Sequence, residues 1–577
     1  MDCGISNNAE VARAAELGLD VIIADHHNPQ ENIPSPAIII NPKCEDSGYP
    51  FKDISGCAVV FKLVSALRFS RSKWYKQPVT LLNVMSGDET WQIDCIKLRN
   101  LVPLSRLTEK ITPGERTIGS TRLPSYLQGE IILVWDMVRQ QKLLSMCFGN
   151  GTDFNVLDIR PLISQFVPSF AAAPLAKIKE LSKIARYGNH APTEIGGFYN
   201  IYVTYVQMAL KQVFPDLKQK EERDLQLVAL AALADIMPMK DENRIFVRKA
   251  LASINAGKIR PGLLELMASL NMLGKRVTSK DLSWTLIPSL NAAGRLGQPE
   301  LAADLFITDD VSYRERVAEK IKECNLQRKQ LSEDAAGYVS LQAKASIPLY
   351  HDKMCVVIDE RINRGITGLV AARLAQQYSL PAIAVTFVDD RAVGSIRSSR
   401  GADVSDFLNR MGDVFLNHGG HTHAGGFSFE RAKLAEFEEK VAELSMGLEL
   451  DENTSDNYDI DAEIPANYLT PDLLSISDSF EPYGLENEQL LFMSQNLEIT
   501  DGMILGKGEK QHLKIELSCG RYKWPALFWN KGSLLHSELE VGDRVDLLYH
   551  LERNSYRGNE TPQLIIVDLK KHDGGKK

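Results

Sequence analysis

The chain has 577 residues, of which 44% are hydrophobic and 24% charged, and its formal net charge is −9. One hydrophobic core rarely serves so long a chain, so we expect three or more domains of ordinary soluble composition. No apolar run could span a bilayer and no basic segment precedes an apolar one at the N-terminus, which predicts a cytoplasmic protein. The negative charge argues against a protein that coats nucleic acid non-specifically, although an acidic chain can still carry a local basic groove.

The cysteines predict neither a disulfide framework nor a structural zinc site. They are scattered and form no Cys-x-x-Cys pair, which fits a reducing compartment and buried or incidental thiols. The eight are Cys3, Cys44, Cys57, Cys95, Cys147, Cys324, Cys355 and Cys519.

The first hundred residues predict alternating helix and strand. An amphipathic helix over Asn8–Gly18 precedes two apolar runs, Asp20–Ala24 and Ala37–Pro42. Runs this apolar are typical of strands that are buried on both faces of a parallel sheet, and ligands of such sheets lie at the carboxyl ends of the strands. The triplet Asp25–His27 occupies that end of the first run.

The next stretch, from about residue 69 to residue 221, carries no chemical motif. Ile131–Asp136 and Leu143–Phe148 could form strands, and Leu175–Arg186 predicts a basic helix. We interpret the stretch as either an inserted module or an elaborated helical connection, of unknown role.

Downstream, the pattern predicts a helical region, a long charged connector helix and a second α/β unit. The expected elements are helices Leu225–Asp235, Ala250–Leu273 and Ser312–Leu341, strand Cys355–Ile358, helix Gly368–Tyr378, and strands Ala382–Val388 and Val393–Arg397.

The C-terminal part changes character twice. Residues 447–489 contain twelve Asp and Glu and no Lys or Arg, which we interpret as a solvated acidic connector. Short alternating segments separated by turn residues then predict a small closed β-barrel. Its expected strands are Leu513–Leu517, Trp524–Trp529, Arg544–Tyr549 and Gln563–Asp568.

Three short segments carry residues that could hold a divalent metal. Asp25–His27 offers a carboxylate and two imidazoles, a mixture that suits Mn2+ or Mg2+, with imidazole favouring Mn2+. Asp2 lies just before the first helix, and Asp235 ends a strongly apolar helix, where its burial would require a metal or a cation as partner. Structural alternatives stay open, because paired histidines are often structural and Asp235 could be a surface acid.

These segments resemble the motifs of the DHH phosphoesterase family, and of its RecJ-type nucleases in particular. The three segments are similar to the family's second, third and fourth motifs, and Ile287–Gly297 is similar to the stretch that follows in RecJ-type proteins. Arg364–Ala371, Gly394–Ser398 and Gly419–Phe427 resemble the associated DHHA1 domain. The resemblance covers most of the chain except residues 69–221. It implies an α/β fold with a DHH parallel-sheet domain, a second α/β (DHHA1) domain and a C-terminal OB-like β-barrel.

The resemblance implies a metal-dependent exonuclease that degrades single-stranded DNA from the 5′ end in repair and recombination, with Mn2+ or Mg2+. It implies that Asp2 bridges two metal ions, and that His26 and Asp235 are further ligands. It also implies that His27 faces the scissile phosphate and that Asp25 orients a histidine. A single-strand-binding protein or a helicase is the kind of protein partner it suggests.

Further residues resemble contacts to the DNA. Arg295, Arg397, Gly420 and His421 look like phosphate or strand-end contacts, since glycines let the backbone approach closely and an imidazole can hold a phosphate. In the barrel, cations interleave with aromatic residues, which could follow a strand while bases stack; alternatively, the aromatic residues are barrel core. The barrel cations expected to bind are Lys507, Lys510 and Lys514, and the aromatic residues near them are Tyr522, Trp524, Phe528 and Trp529.

The expected layout is a DHH domain over residues 1–310 with an insertion at 69–221, a connector helix over 311–345, a DHHA1 domain over 346–446, the acidic connector over 447–490 and the barrel domain over 491–577. The family's first motif, an Asp-x-Asp-Gly-type loop, is absent, so we expect the chain to be N-terminally incomplete. One alternative is a short form that binds single-stranded DNA without cutting it. Another is a DHH enzyme for very short oligonucleotides or cyclic dinucleotides, against which the barrel and the length argue.

Overall fold

The structure, a computed structural model, describes residues 2–149, 154–181, 188–189, 191–451, 457–506, 511–556 and 559–572. The chain divides into two compact units. The N-terminal unit comprises residues 1–50 and 56–224, and the C-terminal unit comprises residues 51–55 and 225–577. Among the described helices, none combines the length and the apolar character needed to cross a membrane.

The N-terminal unit contains a two-stranded and a five-stranded sheet. Its helices are α1 (Asn8–Glu16), α2 (Gly56–Ser70), α3 (Leu123–Leu127), α4 (Met137–Phe148), α5 (Arg160–Ser164), α6 (Leu175–Ile178) and α7 (Glu194–Val213). Its strands are β1 (Ile22–Ala24), β2 (Ile38–Ile40), β3 (Pro78–Met85), β4 (Trp91–Arg99), β5 (Val102–Ile111), β6 (Ile131–Val134) and β7 (Val156–Asp158). The next helix, α8 (Leu217–Ala234), begins in this unit and ends in the C-terminal unit.

The first two strands place the Asp25–His27 triplet as predicted. β1 and β2 pair in parallel, with Ile22 opposite Ile38, and the triplet follows the carboxyl end of β1. The expected burial on both faces is wrong, because Ile22 is 59% and Ile38 62% exposed. No third strand of the described chain joins this sheet, and only the carboxyl end of β1 is buried, where Ile23 is 5% and Ala24 2% exposed.

The described part of residues 69–221, which we call the inserted module, forms a five-stranded sheet with flanking helices rather than a helical connection. Its sheet has the order β5-β4-β3-β6-β7, and only β4 runs antiparallel to the other four strands. Leu81 and Leu82 of β3 belong to two different buried clusters, so the sheet is covered on both faces.

Two predictions for the inserted module need correction. Ile131–Val134 is a strand as expected, but Leu143–Phe148 lies in α4, where Leu144 and Cys147 are buried at helical spacing. The basic helix expected at Leu175–Arg186 is represented by α6 and a short 3₁₀ turn that ends at Leu181, and residues 182–187 lie outside the described part of the chain.

The C-terminal unit contains a second five-stranded sheet and the barrel. Its helices are α9 (Asp241–Asn255), α10 (Leu263–Ser269), α11 (Ser279–Asp281), α12 (Ile287–Arg295), α13 (Glu300–Ile307), α14 (Val311–Ser346), α15 (Thr367–Tyr378), α16 (Val404–Arg410), α17 (Leu434–Met446) and α18 (Asp472–Ser479). Its strands are β8 (Cys355–Ile358), β9 (Ala382–Val388), β10 (Arg391–Arg397), β11 (Asn417–His421), β12 (Ala424–Glu430), β13 (Ala462–Glu463), β14 (Phe492–Leu505), β15 (His512–Cys519), β16 (Tyr522–Phe528), β17 (Arg544–Tyr556) and β18 (Asn559–Lys571).

Most elements of this unit match their predictions, and one helix does not. The single helix expected over Ala250–Leu273 is two helices, α9 and α10. Gly257 and Gly262 between them both have positive φ, and a Cβ at Gly262 would collide with the carbonyl of Leu305. Gly257 therefore ends the first helix, and Gly262 allows the start of the second helix to pack closely against α13.

The barrel closes through pairing of β14 with β17, in the sheet order β13-β14-β15-β16-β18-β17. The expectation of a solvated acidic connector is wrong for the second half of that segment. β13 pairs with β14, and Leu469, Leu473 and Leu474 are buried in the barrel core. Apolar residues between the acids therefore anchor this half of the segment to the barrel.

Candidate metal centre and nucleic-acid interface

Two predicted metal ligands, Asp2 and His26, converge at the end of β1 with His27, which was predicted to face the scissile phosphate. One ligand atom from each of Asp2, His26 and His27 lies within 4.8 Å of the others. Nε2 of His26 is 3.2 Å from Oδ1 of Asp2. The His26 side chain is 8% exposed, whereas those of His27 and Asp2 are 43% and 60% exposed. The group therefore has a buried base and an open side.

Asp25 is fully buried beside this group and orients His27. Its carboxylate accepts hydrogen bonds from the backbone N–H groups of Ile5, His26 and His27 and from Nδ1 of His27, the last at 2.7 Å. Burial alone would raise the pKa of Asp25, but the hydrogen bonds from His27, Ile5 and His26 outweigh it and lower that pKa to about 2. Since the ionised carboxylate accepts a hydrogen bond from Nδ1–H, Nε2 of His27 is the nitrogen left for a ligand.

Local backbone geometry holds Asp2 in place. Asp2 has a positive φ of 61°, and its N–H donates to the carbonyl of Ala24 at 2.9 Å. Gly56, the first residue of α2, lies so close that a Cβ there would overlap the Asp2 carboxylate. This places the carboxylate at a helix N-terminus, where unpaired N–H groups and the helix dipole favour negative charge. Gly56 was not among the predicted residues, although a glycine at the start of an apolar helical run is a signal in the sequence.

The donor set fits a divalent ion. A carboxylate oxygen with two imidazole nitrogens suits Mn2+, and three protein ligands leave positions for solvent or substrate. No other group of three or more His, Cys, Asp and Glu side chains in the described residues brings its ligand atoms so close.

Asp235 is exposed, so it is not the buried acid for which a metal or a cation would be required as partner. It follows the last residue of α8, which is the exposed Ala234, and belongs to the C-terminal unit. Its role as a metal ligand stays a prediction.

A second group of predicted residues meets in the C-terminal unit. Arg295 at the end of α12 and Arg397 at the end of β10 are both half-buried, and burial lowers the pKa of each. The charge of Arg295 lowers the pKa of Arg397 further. The pKa of Arg328 in α14 is also lowered, first by burial and then by the charge of Arg295. We call Arg295, Arg328 and Arg397 the arginine cluster; Arg328 was missed because nothing in its helical surroundings marks it.

The arginine cluster has carbonyl but not carboxylate partners. Arg295 donates to the carbonyl of Gly365 at 3.2 Å, Arg397 to that of Ile396 at 2.9 Å, and Arg328 to Oδ1 of Asn325 at 2.9 and 3.1 Å. Among the described residues, no acid contacts the three guanidinium groups. Half-buried positive charges without acidic partners suit an anion such as a phosphate.

Two glycines bring the N-terminal end of α15 close to the arginine cluster. A Cβ at Gly365 would collide with the carbonyl of Arg295, and one at Gly368 would lie 2.6 Å from Nη2 of Arg397. Oγ1 of Thr367 lies 3.0 Å from Oγ of Ser395 in the same place. The glycines are therefore required by close approach, not by a turn.

The predicted contacts Gly420 and His421 lie on the exposed edge strand β11. Ala424 of β12 pairs with His421 on one side and with Arg397 on the other, so His421 and Arg397 share a face of the sheet, about 10 Å apart. A Cβ at Gly420 would overlap the backbone of Ala424 and Gly425. The strand thus brings an imidazole to the side of the sheet that carries Arg397.

The barrel leaves only part of the predicted strand-binding surface exposed. Trp524 and Phe528 are core residues, 2% and 8% exposed, so they cannot stack with bases, whereas Tyr522 and Trp529 are 44% and 51% exposed. Lys514 is half-buried on β15, and the predicted contacts Lys507 and Lys510 lie outside the described residues.

Comparison with known proteins identifies the family. Family models match the DHH family N-terminal domain over residues 1–86, the DHHA1 domain over 351–446 and the RecJ OB domain over 460–568. The single-stranded-DNA-specific exonuclease RecJ of Salmonella typhimurium is 24% identical over 99% of this chain and 76% of its own length. In these three regions the chain matches RecJ-type proteins of the DHH family.

Solved RecJ structures share the fold. The RecJ-type chain matches Thermus thermophilus RecJ in complex with Mn2+ with a TM-score of 0.60 at 20% identity, over 99% of this chain and 61% of that one. A complex of the same protein with Mg2+ matches with a TM-score of 0.51 at 24% identity, over 67% of this chain and 57% of that one. The chain therefore spans less than two thirds of these structures. The predicted family and fold class are confirmed.

Proposed function

We propose that this RecJ-type chain is a metal-dependent exonuclease specific for single-stranded DNA, which acts from the 5′ end with Mn2+ or Mg2+ in DNA repair and recombination. The observation that carries the proposal is the convergence of Asp2, His26 and His27, with His27 held by Asp25. The names of the curated relatives from Salmonella typhimurium and Escherichia coli support the substrate. The donor set supports the ions, which the solved Thermus structures contain.

In the proposed hydrolysis, different side chains of the site would bind the metal ions, contact the phosphate and orient His27. Asp2 and His26, together with Asp235, would hold the ions, which when bound lower the pKa of a water and stabilise the attacking and leaving oxygens. His27 presents Nε2 on the open side, where it would contact the scissile phosphate. Asp25 stays ionised, so it keeps the His27 ring oriented and stabilises it if it takes up a proton.

Strand binding would use groups outside the metal centre. The arginine cluster, His421 and Gly420 would contact phosphates, and Lys507, Lys510 and Lys514 would follow the strand along the barrel. We propose a cytoplasmic protein that works with a single-strand-binding protein or a helicase. The proposed domains remain a DHH domain over 1–310 interrupted by the inserted module, a connector helix over 311–345, a DHHA1 domain over 346–446 and the barrel domain after the acidic segment.

The test is release of label from a single-stranded oligonucleotide that carries it at the 5′ end, with Mn2+ present. We expect the wild-type chain to release a labelled mononucleotide before the 3′ end shortens. Asp2→Asn and His27→Gln should each slow release on the order of 100-fold or more. Asp20→Asn, which changes an exposed acid near the same strand, should leave the rate unchanged.

Two outcomes would overturn the proposal. Intact label with retained oligonucleotide binding would identify a non-catalytic strand-binding protein on the DHH fold. Cleavage that survives Asp2→Asn unchanged would place the activity outside this metal centre.

A further inference from the structure

The inserted module has a strand order that marks a ligand site of its own. The chain enters the sheet at β3, adds β4 and β5 on one side, and then adds β6 and β7 on the other. The direction of addition therefore reverses between β3 and β6, which are parallel. Open α/β sheets bind their ligands outside the carboxyl ends of the strands at such a reversal.

A polar cavity of about 60 Å³ lies at that position. Side chains reach it from five different elements or their ends, so it is not a local feature of one loop. They are Asn83 of β3, Asp136 after β6, Arg139 of α4, Arg160 at the start of α5 and Glu194 at the start of α7.

The buried polar groups of the cavity hold one another in place. Asn83, 1% exposed, donates to Oε2 of Glu194 at 2.9 Å and accepts from the amide of Gln140 at 3.1 Å. Nη1 of Arg160 donates to Oδ2 of Asp136 at 3.1 Å. Asp136 has a positive φ of 68°, and its side chain accepts from the backbone N–H of Arg139. The walls are therefore ordered before any ligand arrives, and strained backbone at such a place is typical of binding sites.

Arg139 is the cation left for a ligand. Its side chain is exposed at the cavity, and none of the described residues accepts a hydrogen bond from its guanidinium group. Arg160, by contrast, is neutralised by Asp136 and lies 3.8 Å from Asp158.

The charge of the inserted module indicates the kind of ligand. The module contains 19 Lys and Arg and 13 Asp and Glu, a net charge of +6 in a chain whose total is −9. A net positive charge on one domain of an acidic protein favours binding to the phosphates of nucleic acid.

Hydrolysis at this cavity is not supported. Asp136 is engaged by a guanidinium group and caps a helix, and the β3 position carries a neutral amide. The carboxylates of the cavity do not form a group of metal ligands among the described residues. A strand held here would therefore be bound without being cut.

We propose that the inserted module is a second nucleic-acid-binding domain, which holds a phosphodiester backbone at the carboxyl ends of β3 and β6 without a metal ion. Arg139 contacts the phosphate, and the Arg160–Asp136 pair keeps the cavity in shape. The proposal does not depend on the nuclease assignment, because binding is independent of cleavage.

Photo-cross-linking of the full-length chain tests the position. Oligonucleotides that contain 5-iododeoxyuridine, single-stranded in one arm and duplex in the other, are cross-linked in EDTA, and the modified peptides are identified by mass spectrometry. We expect cross-linked peptides from α4 or the start of α5, and the two arms show which form of nucleic acid is held. Cross-links confined to the barrel and the neighbourhood of the arginine cluster in both arms would overturn the proposal.

A charge reversal tests the contact. Arg139→Glu should weaken binding in EDTA and reduce the slope of log affinity against log salt by about 0.7 to 1, the contribution of one phosphate contact. The matched control, Arg106→Glu, reverses an exposed charge on the edge strand β5 of the same module and should change the slope little. Equal effects of the two variants would contradict a specific contact at Arg139.

Discussion

Gly56 begins α2 against the carboxylate of Asp2, and Asp25 receives four hydrogen bonds beneath the two histidines. The candidate metal centre thus depends on residues that hold its ligands as well as on the ligands themselves. Such supporting contacts typically change metal affinity or activity 10- to 100-fold when they are lost. They can be tested one residue at a time.

Gly56→Ala should weaken metal binding without unfolding the chain. The added methyl group must displace the Asp2 carboxylate, so we expect the Mn2+ concentration for half-maximal activity to rise by roughly 10-fold or more. Gly119→Ala, at a position with open space around it, is the control. Metal titrations of nuclease activity measure both, and an unchanged midpoint for Gly56→Ala would show that Asp2 is not held by this contact.

Asp25→Asn should lower the maximal rate more than the affinity for DNA. The amide keeps the shape of the side chain but removes the negative charge that orients and stabilises the His27 ring. We expect kcat to fall roughly 10- to 100-fold, with KM for the oligonucleotide nearly unchanged. Loss of affinity at unchanged kcat would instead mean that Asp25 acts on strand binding.

Sequence motifs predicted Asp2, His26 and His27 and one supporting residue, Asp25, but not the other supports. Asp2, His26 and His27 converge as expected because the triplet follows a strand whose direction the apolar run indicated. Gly56 and Arg328 were missed, since each matters only through a contact with a residue distant in sequence. No periodicity encodes such a contact.

The sequence predicted most of helix α14, which runs from Val311 to Ser346. Its charged, periodic pattern is long enough to exclude a strand. The apolar run Leu143–Phe148 shows the opposite case, because six apolar and small residues suit a strand or a buried helix equally. Strand order in the inserted module was beyond prediction, since pairing of β3 with β6 joins segments about 50 residues apart.

Gly337→Ala tests how much stability α14 has left to gain. Gly337 is exposed within the helix and has open space where a Cβ would lie, so alanine should stabilise the C-terminal unit by about 0.5–1 kcal/mol. Gly257→Ala is the comparison variant, for which we expect the opposite sign. Gly257 has a positive φ of 75°, so alanine there should destabilise the unit by about 1–2 kcal/mol. Denaturant unfolding measures both, and the same sign for the two would contradict the assigned backbone geometry.

At the scale of the whole molecule, the acidic segment is a structural attachment within the C-terminal unit. Arg276 binds Asp478 at 2.6 Å, and Ser279 donates to Glu481 at 3.0 Å, which ties the segment before the barrel to the helical region. Charge composition predicted a solvated linker because it does not report which cations lie opposite the acids. The structure shows that some of these acids have partners in distant parts of the chain.

Glu481 should make the stability of this unit depend on pH. Burial raises the pKa of Glu481 above its usual 4.5. Hydrogen bonds from Ser279 and the N–H of Tyr483 and the charge of Arg276 lower the pKa, but by less than burial raises it. The folded state therefore binds the proton more tightly than the unfolded state, so stability is greatest below pH 4.5 and falls as pH rises through the folded pKa.

Glu481→Gln keeps an oxygen acceptor and removes this titration. We expect a Tm at neutral pH equal to or above that of the wild type, and a smaller loss of Tm between pH 4.5 and 7. Glu488→Gln, at an exposed position, should leave the profile unchanged. A lower Tm for Glu481→Gln at neutral pH would show that the ionised carboxylate stabilises the fold.

Direct binding of Mn2+, measured by electron paramagnetic resonance, is the closest test of the metal centre. We expect the wild-type chain and Asp20→Asn to bind Mn2+ with the same affinity, and His26→Ala and Asp2→Asn to lose most of that binding. Identical Mn2+ titrations for all four proteins would mean that these side chains meet without holding an ion.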